Sequence, residues 1–510
     1  VFSGPNPKTG VSTSRDLAYR LSMRRYATFV AVGLLAAACT ASSEQDTTDP
    51  EASPSSSVAP STTTSTTTST LPTFVAGAAG IGDDYFTSLG NGGYDVEHYH
   101  LDITYADDGT VDASVAITAT ATDNLESFNL DFTGWQIDRL ELNDDTPEYV
   151  RDGEELIVGP VEILAGESFE AVLQYSGTPG PIVSSAIPFG IGWQTGPEGE
   201  QFVAAEPDAA HSWFPSNDHP LDKSTFTFAI TVPNRLSAAA NGELVDVVEG
   251  STTTTYHWAM TDPMAPYLAT IVMGDGWTLI EDPVSSEAAG FPVANFLPPD
   301  LAADPPAALS NTGEMVRVLE RAFGPYPFDR YGIAVVGGFP AALENQTLSV
   351  FGRTMVEAPY FEYVLVHELA HQWFGDSVSV GEWSDIWLNE GFATYAELLW
   401  VEELYGPGAY QEEVANRIQA AEVAGYGPPG TPAPDDLFNG SVYQRGSFVL
   451  VALRDEVGDD LFFETLRTYA QRFSNGNATT EDFISLAEEV AGRDLGGLFS
   501  TWLYDEQIPG

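Results

Sequence analysis

The stretch VLVHELAHQWFGD, residues 364–376, contains three polar side chains whose types and spacing could bind a metal ion. His367 and His371 are four residues apart, so on an α-helix they lie on one face and can present two ring nitrogens to one ion, with Glu368 beside them. Three fixed positions are weak support for a metal site, because the same pattern also fits polar groups on an ordinary helix. A decision between these interpretations needs further ligands.

A catalytic zinc site has three protein ligands and one open position, so a third ligand is required downstream. Glu390, in WLNEGFA, follows His371 by nineteen residues on a second predicted helix and is the candidate. Gly391 is next to it, which would let a neighbouring backbone pass close. A histidine ligand of the H-E-x-x-H-x-x-G-x-x-H type is absent, because Phe374 occupies the glycine position.

The chain is strongly acidic. Its 510 residues are too many for one ordinary core, so two or three domains are expected. The 74 acidic and 19 basic residues give a formal net charge of -55. Such a surface repels nucleic acid and anionic lipid, so neither is expected as a partner through charge. A solubility device and adaptation to a salty medium both explain this composition.

Residues 23–38 are predicted to be a signal peptide. Arg24 and Arg25 precede an apolar run that is too short to span a bilayer and ends in small residues. Residues 1–22 carry no fold signal, and we interpret them as an artefact of an upstream start site.

Cys39 is the only cysteine of the chain and follows the apolar run directly. The pattern resembles a bacterial lipoprotein signal, and the alternative is a plain secretion signal with an incidental cysteine. Residues 39–77 are rich in Ser and Thr and are predicted to be a disordered tether. The protein is therefore expected to be exported, with a lipid anchor on the outer face of the cell membrane as its only membrane contact, or otherwise secreted.

Two folded domains are predicted after the tether. Residues 78–285 show apolar residues at every second position, which indicates an all-β, sandwich-like domain. The clearest runs are Tyr99, Leu101, Ile103 and Tyr105; Val111, Ala113, Val115, Ile117 and Ala119; Phe128, Leu130 and Phe132; Phe169, Ala171, Leu173 and Tyr175; and Phe226, Phe228, Ile230 and Val232. Residues 286–510 change to longer helical segments that carry the candidate metal ligands, so this half is predicted to be mainly helical.

Several ordered motifs resemble the aminopeptidase N family of gluzincin zinc peptidases, which includes leukotriene hydrolases. They are SLGNGGYDVEHYHLDITY, SWFPSNDHPLDKSTFTFAITVP, FGPYPFDRYGIAVV, HELAHQWFGD and EWSDIWLNEGFATYAE. The resemblance implies an N-terminal β-domain followed by a thermolysin-like catalytic domain with mixed α and β structure. Larger members continue into a helical C-terminal domain, and the short form expected here would have a more open site.

The resemblance also implies roles for the matching residues. His367, His371 and Glu390 would bind one zinc ion. Glu368 would be the general base that takes a proton from zinc-activated water. Tyr443, in SVYQRGSFVLV, matches a tyrosine that stabilises the oxyanion. Without the family, the better interpretation of this tyrosine would be a core residue.

An aminopeptidase must also recognise a free α-ammonium group, which calls for a buried carboxylate near the metal. FPAALENQT resembles the family's G-A-M-E-N motif and assigns this task to Glu344, with Asn345 beside it, although Ala341 replaces the motif's glycine. Glu206, in FVAAEPDAA, matches a second amine-binding glutamate, and Ala204 stands where the family often has glutamine. In so acidic a chain the alternative for both glutamates is a solvated surface position.

The resulting hypothesis is a zinc-dependent aminopeptidase that removes N-terminal residues from extracellular peptides. Its partners would be peptides with a free N-terminus, and the sequence leaves the oligomeric state open. A zinc endopeptidase of the same gluzincin type and a non-catalytic, peptide-binding surface lipoprotein remain as alternatives. An endopeptidase would not need Glu344 or Glu206.

Overall fold

The structure is a computed structural model that describes residues 72–509. The predicted signal peptide, Cys39 and most of the predicted tether lie outside these residues. Val75–Ala76, at the end of the predicted tether, forms a short strand that pairs in parallel with Leu125–Asp131. Ordered β structure therefore begins before residue 78.

The largest sheet has seven strands, and its alternating sequence pattern gives it one apolar face. Along the strand Val111–Ala121, every second residue from Val111 is buried and the residues between them are more exposed. In spatial order the strands are Glu243–Glu249, Thr253–Met264, Ser224–Pro233, Tyr94–Tyr105, Val111–Ala121, Ser168–Gly177 and Gln136–Leu142. Neighbouring strands are antiparallel except for the parallel central pair.

Two smaller sheets complete the β-domain. One contains Val75–Ala76, Leu125–Asp131, Glu155–Val158 and Tyr149–Asp152, and the other Leu236–Ala240, Ile271–Asp275, Gln201–Ala204, Gly190–Thr195 and Pro181–Val183. Tyr94 joins the large sheet to the first small one, because its ring contacts Phe128 edge-on and its hydroxyl donates to the Asn129 carbonyl at 2.6 Å. The predicted sandwich-like β-domain is confirmed.

The second domain combines a five-stranded sheet with eleven α-helices among the described residues. The strands, in spatial order, are Thr278–Glu281, Ala294–Leu297, Ile333–Val336, Ser349–Gly352 and Ala342–Leu343, so the sheet begins before residue 286. The helices are Pro283–Ala289, Pro299–Ala303, Thr312–Phe323, Arg353–Val356, Phe361–His371, Trp387–Tyr405, Pro407–Ala424, Gly446–Val457, Asp459–Arg472, Thr480–Ala491 and Gly496–Tyr504. A two-stranded parallel sheet joins Val378–Val380 to Gly476–Ala478. The predicted mixed, mainly helical domain is confirmed.

Lys223 connects the two domains beside the candidate site. Its ammonium group donates to the backbone carbonyls of Asp376 at 2.6 Å, Ser377 at 2.9 Å and Gly476 at 3.3 Å. Burial lowers the pKa of Lys223 to about 7, although the negative charge of Asp376 acts to raise this pKa. The loop that follows His371 is thereby held against the β-domain.

Among residues 72–509, no helix combines the length and the apolar composition that a membrane crossing requires.

Candidate active site

Two buried helices carry the predicted metal ligands. The histidine helix, Phe361–His371, contains His367 and His371, and the glutamate helix, Trp387–Tyr405, contains Glu390 in its first turn. Both helices are apolar on most of their circumference, which is typical of helices in the interior of a domain. The two helices pack against each other, so the ligands face one another across their contact.

The three predicted ligands converge on one point. Glu390 Oε2 lies 3.2 Å from His367 Nε2 and 3.5 Å from His371 Nε2. One donor atom from each residue lies within 4.8 Å of the others, and the residues are 8%, 1% and 3% exposed for His367, His371 and Glu390. Two imidazole nitrogens and one carboxylate oxygen are the donor set of a catalytic zinc site. The residues therefore fit a zinc ion, with one coordination position left for water or substrate.

Hydrogen bonds to the far side of each ring fix which nitrogen faces the cluster. His367 Nδ1 lies 3.0 Å from Glu397 Oε1, and His371 Nδ1 lies 3.1 Å from the carbonyl oxygen of Phe374. Both partners accept a hydrogen bond from a protonated Nδ1. The lone pair of Nε2 in each histidine is therefore free to bind a metal ion. Arg417 donates to the other oxygen of Glu397 at 2.7 Å and holds this carboxylate in place.

Sequence reasoning missed Glu397 and Arg417, the two residues that hold the ring of His367 in place. The spacing held a usable signal, because Glu397 follows Glu390 by seven residues, or two helical turns, and so lies on the same face.

Glu368 lies inside the site, as the H-E-x-x-H pattern predicts, and is 5% exposed. One of its carboxylate oxygens lies within 4.8 Å of donor atoms of Glu344 and His371. Burial raises the pKa of Glu368 to about 8, and the positive charge of the two imidazoles opposes this. A cation at the neighbouring cluster would act in the same direction as the imidazoles and favour the ionised base.

Tyr443 approaches the cluster from a third segment. It lies in a π-helical turn, Ser441–Arg445, which leads into the helix Gly446–Val457. Its ring lies parallel to that of His367, with the centroids 6.0 Å apart and an interplanar angle of 21°. Burial raises the pKa of Tyr443 well above its ordinary value, and nearby carboxylates act in the same direction. The phenol therefore stays protonated and can donate a hydrogen bond.

A glycine pair sets the distance between the glutamate helix and the segment that carries Tyr443. A methyl group on Gly391 would lie 2.7 Å from the carbonyl carbon of Gly446 and 2.9 Å from its Cα. The prediction that a backbone passes close to Gly391 is confirmed, and the partner is Gly446. Glu390 and Tyr443 are thereby brought to the same cluster.

Gly391→Ala is expected to destabilise the protein by about 1–3 kcal/mol, because the added methyl group overlaps a backbone that cannot move independently. Gly408→Ala, in the helix Pro407–Ala424, is the matched control, since a Cβ there meets no atom within 4 Å. Urea denaturation of both variants measures the difference. Equal stability of the two variants would contradict the close contact.

Glu344 and Asn345 lie in a loop between the strands Ala342–Leu343 and Ser349–Gly352. Glu344 is 2% exposed, which excludes a solvated surface position. The side-chain amide of Asn345 donates a hydrogen bond to the Leu268 carbonyl at 3.0 Å, which ties the loop to the β-domain. The amide nitrogen therefore does not face the metal cluster. Burial raises the pKa of Glu344, and the charge of His371 opposes this.

Glu206 enters the site from the β-domain, just after the strand Gln201–Ala204, and is 4% exposed. Burial raises its pKa well above the ordinary value, and the charge of Glu344 is the next largest cause. The two predicted amine-binding glutamates are thus brought together although they come from different domains. Ala204 is buried in its strand, whereas Ala341 is partly buried.

Gln372 holds the loop of Glu344 against the histidine helix. Its side-chain amide donates to the Glu344 carbonyl at 2.9 Å and its amide oxygen accepts from the Thr347 backbone N–H at 2.8 Å. Thr347 has a φ of 67°, a left-handed conformation that these contacts support. Sequence reasoning missed this residue, which directly follows His371.

Gln372→Met is expected to raise KM for substrates with a free α-amino group more than it lowers kcat, because the loop of Glu344 loses both of its bonds to the histidine helix. The loss of partners for two buried backbone groups should also lower stability by about 1–3 kcal/mol. Steady-state kinetics and the zinc content of the variant measure the effect. Unchanged KM with lower kcat would contradict a role in placing Glu344.

Comparisons with known proteins find relatives of both domains. The protein-family model described as the Peptidase M1 N-terminal domain matches residues 95–268. The protein-family model described as the Peptidase family M1 domain matches residues 307–502. An M1 zinc metallopeptidase from Deinococcus radiodurans, solved as a mutant bound to a Tyr-Ser-Ala substrate, superposes with a TM-score of 0.78. It is 31% identical, and the match covers 84% of this chain and 99% of that one.

Curated relatives are longer. Aminopeptidase M1-B of Oryza sativa subsp. japonica is 28% identical over 331 residues, which is 61% of this chain and 37% of that protein. Aminopeptidase N of Streptomyces lividans is 28% identical over 323 residues, which is 58% of this chain and 37% of that protein. The matched part therefore spans little more than a third of these relatives.

The β-domain and the helical domain together are those of a zinc metallopeptidase. The chain belongs to peptidase family M1. The resemblance to the aminopeptidase N family is confirmed at this level.

Proposed function

We propose that the protein is a zinc-dependent aminopeptidase that removes N-terminal residues from peptides. The observation that carries this proposal is the pair Glu206 and Glu344, two buried carboxylates beside the metal cluster. Within residues 72–509, no side chain or backbone group donates to Glu206 Oε1 or Glu344 Oε1. A buried carboxylate without a partner is costly, and the α-ammonium group of a substrate would supply the missing charge and hydrogen bonds.

His367, His371 and Glu390 would hold the zinc ion. When bound, zinc polarises the peptide carbonyl and lowers the pKa of a water molecule to about 7. Glu368 accepts a proton from the attacking water and passes it to the nitrogen of the leaving peptide. Tyr443 donates a hydrogen bond to the carbonyl oxygen as that oxygen gains negative charge. Glu206 and Glu344 hold the α-ammonium group, so the first peptide bond lies at the reacting centre.

The cleavage products of an unblocked decapeptide test this proposal. Mass spectrometry should show single residues lost in order from the N-terminus, and the N-acetylated decapeptide should remain intact. Internal fragments from both peptides would support the alternative, a gluzincin endopeptidase, and would remove the role given to Glu206 and Glu344.

Tyr443→Phe is expected to lower kcat by about 10²–10³-fold with little change in KM, because one hydrogen bond to the developing oxyanion is lost while the ring is retained. Tyr504→Phe is the control, since Tyr504 is 46% exposed and lies in the last helix. Steady-state kinetics of both variants measure the effect. A Tyr443→Phe variant as active as Tyr504→Phe would exclude this role.

We further propose that the peptidase is exported and anchored by a lipid on Cys39. Arg24, Arg25 and the apolar run before this cysteine support the proposal. Metabolic labelling with a radioactive fatty acid should mark the wild-type protein and leave Cys39→Ala unlabelled. Equal labelling of the two proteins, or none, would contradict lipidation at this residue.

A further inference from the structure

The site contains more buried carboxylates than one metal ion and its histidines compensate. Glu390 lies within 3.5 Å of both imidazoles. Glu344 and Glu368 lie within ligand distance of His371, and Glu206 interacts electrostatically with Glu344 and Glu390. These three glutamates are 4%, 2% and 5% exposed for Glu206, Glu344 and Glu368. Buried charges are stable only when they are paired or neutralised. A bound cation would pair with these carboxylates in their ionised form, which burial alone disfavours.

Two of these carboxylates also form a second group with metal-ligand spacing. One oxygen each of Glu344 and Glu368 and one nitrogen of His371 lie within 4.8 Å of one another. Among the described residues, this group and the His367–His371–Glu390 cluster are the sets with such spacing. Glu344 Oε1 accepts no hydrogen bond from any described residue, so this oxygen can serve as a ligand.

The two groups overlap at His371, and one ring cannot serve two ions from the same side. His371 Nδ1 is engaged by the Phe374 carbonyl at 3.1 Å, which leaves only Nε2, and this nitrogen faces Glu390. An ion in the second group must therefore depend on carboxylate oxygens when the first cluster is filled. Oxygen-only ligand sets favour hard cations such as Ca²⁺ over zinc.

We propose that Glu344 and Glu368, with Glu206 beside them, form a second cation site that takes a hard divalent ion and competes with the substrate's α-ammonium group. The competition rests on the proposed aminopeptidase function, whereas the ion site itself does not. Because the ion and the ammonium group need the same carboxylates, the ion raises KM and leaves kcat unchanged. Occupation also engages Glu368, so an enzyme with this ion bound does not turn over.

Calorimetric titration of CaCl₂ into the zinc-loaded full chain tests the site directly. The titration is done in concentrated KCl, which screens diffuse binding to a surface of formal net charge -55. We expect one saturable Ca²⁺ per chain, with the affinity reduced about tenfold or more in Glu344→Gln, because ligand charge sets Ca²⁺ affinity. Glu464→Gln, on the exposed face of the helix Asp459–Arg472, should bind Ca²⁺ like the wild type.

Two further measurements test whether the ion and the substrate compete for the same carboxylates. Leucine amide should weaken Ca²⁺ binding to the wild type, and Ca²⁺ should raise KM for leucine anilide in proportion to its concentration. Zinc content, measured by atomic absorption after the titration, should be unchanged.

Identical Ca²⁺ binding by wild type, Glu344→Gln and Glu464→Gln would overturn the proposed site, as would displacement of zinc by Ca²⁺. These binding results do not depend on turnover. A protein that binds Ca²⁺ as predicted but cleaves no free-amine substrate would support the ion site and contradict only the proposed aminopeptidase function.

Discussion

Glu368→Gln is expected to lower kcat by about 10²–10⁴-fold or more while zinc remains bound, because the amide has the shape of the carboxylate but cannot accept the proton. The carboxylate lies among the donor atoms of the site without belonging to the His367–His371–Glu390 cluster. Its loss should therefore affect the chemical step and leave the metal ligands in place.

The measurement is kcat for an amino-acid anilide together with the zinc content of each protein. Glu362→Gln is a suitable control because Glu362 lies on the same helix, in its first turn, away from the metal cluster. This control should retain wild-type kcat. A Glu368→Gln variant that keeps both its zinc and its activity would show that another group acts as the base.

Glu390→Gln is expected to have the second large effect, a loss of zinc and hence of activity. The substitution removes the only carboxylate of the His-His-Glu cluster, whose Oε2 lies 3.2 Å from His367 Nε2 and 3.5 Å from His371 Nε2. Glu397→Gln provides a graded comparison, because Glu397 touches the far side of His367 at 3.0 Å and not the metal position. Changes to such outer partners weaken metal binding by roughly 10–100-fold, and Glu390→Gln should exceed this.

Zinc dissociation constants from competition with a chromogenic chelator measure this series. Circular dichroism should show that both variants keep their helices, since neither substitution changes side-chain volume. If Glu390→Gln bound zinc more tightly than Glu397→Gln, the third ligand would have to be sought elsewhere in the site.

The spacing of residues predicts those features that depend on one element at a time. Period-two alternation identifies strands such as Val111–Ala121 because one face of the large sheet is buried. The four-residue spacing of His367 and His371 predicts that both rings share one helix face, and their Nε2 atoms lie 3.2 and 3.5 Å from the same oxygen of Glu390.

Strands that are buried on both faces cannot be identified from alternating hydrophobicity. Ile333–Val336 and Ser349–Gly352 are buried at every residue, and they pair in parallel within the second domain. A short, continuous apolar run without alternation cannot be distinguished from a buried helix by periodicity. Periodicity therefore predicts a mainly helical domain and does not identify the strands of its five-stranded sheet.

Contacts between segments distant in sequence are the part of the candidate site that the sequence does not predict. Arg417 reaches His367 only through Glu397, and the bond between Arg417 and Glu397 exists only when two helices pack. Gln372 is a neighbour of the motif in sequence, yet its function depends on Glu344 and Thr347, which are 28 and 25 residues away. Such bonds depend on tertiary packing, which a single sequence does not encode as spacing.

We propose above all that one site combines a metal cluster with carboxylates that bind a free α-amino group. Hydrolysis of amino-acid anilides and of their N-acetylated counterparts, each with and without a chelator, tests it most directly. We predict cleavage of the free-amine anilides only, abolished by the chelator and restored by zinc. Equal cleavage of the acetylated set, or cleavage that survives complete removal of the metal, would contradict it.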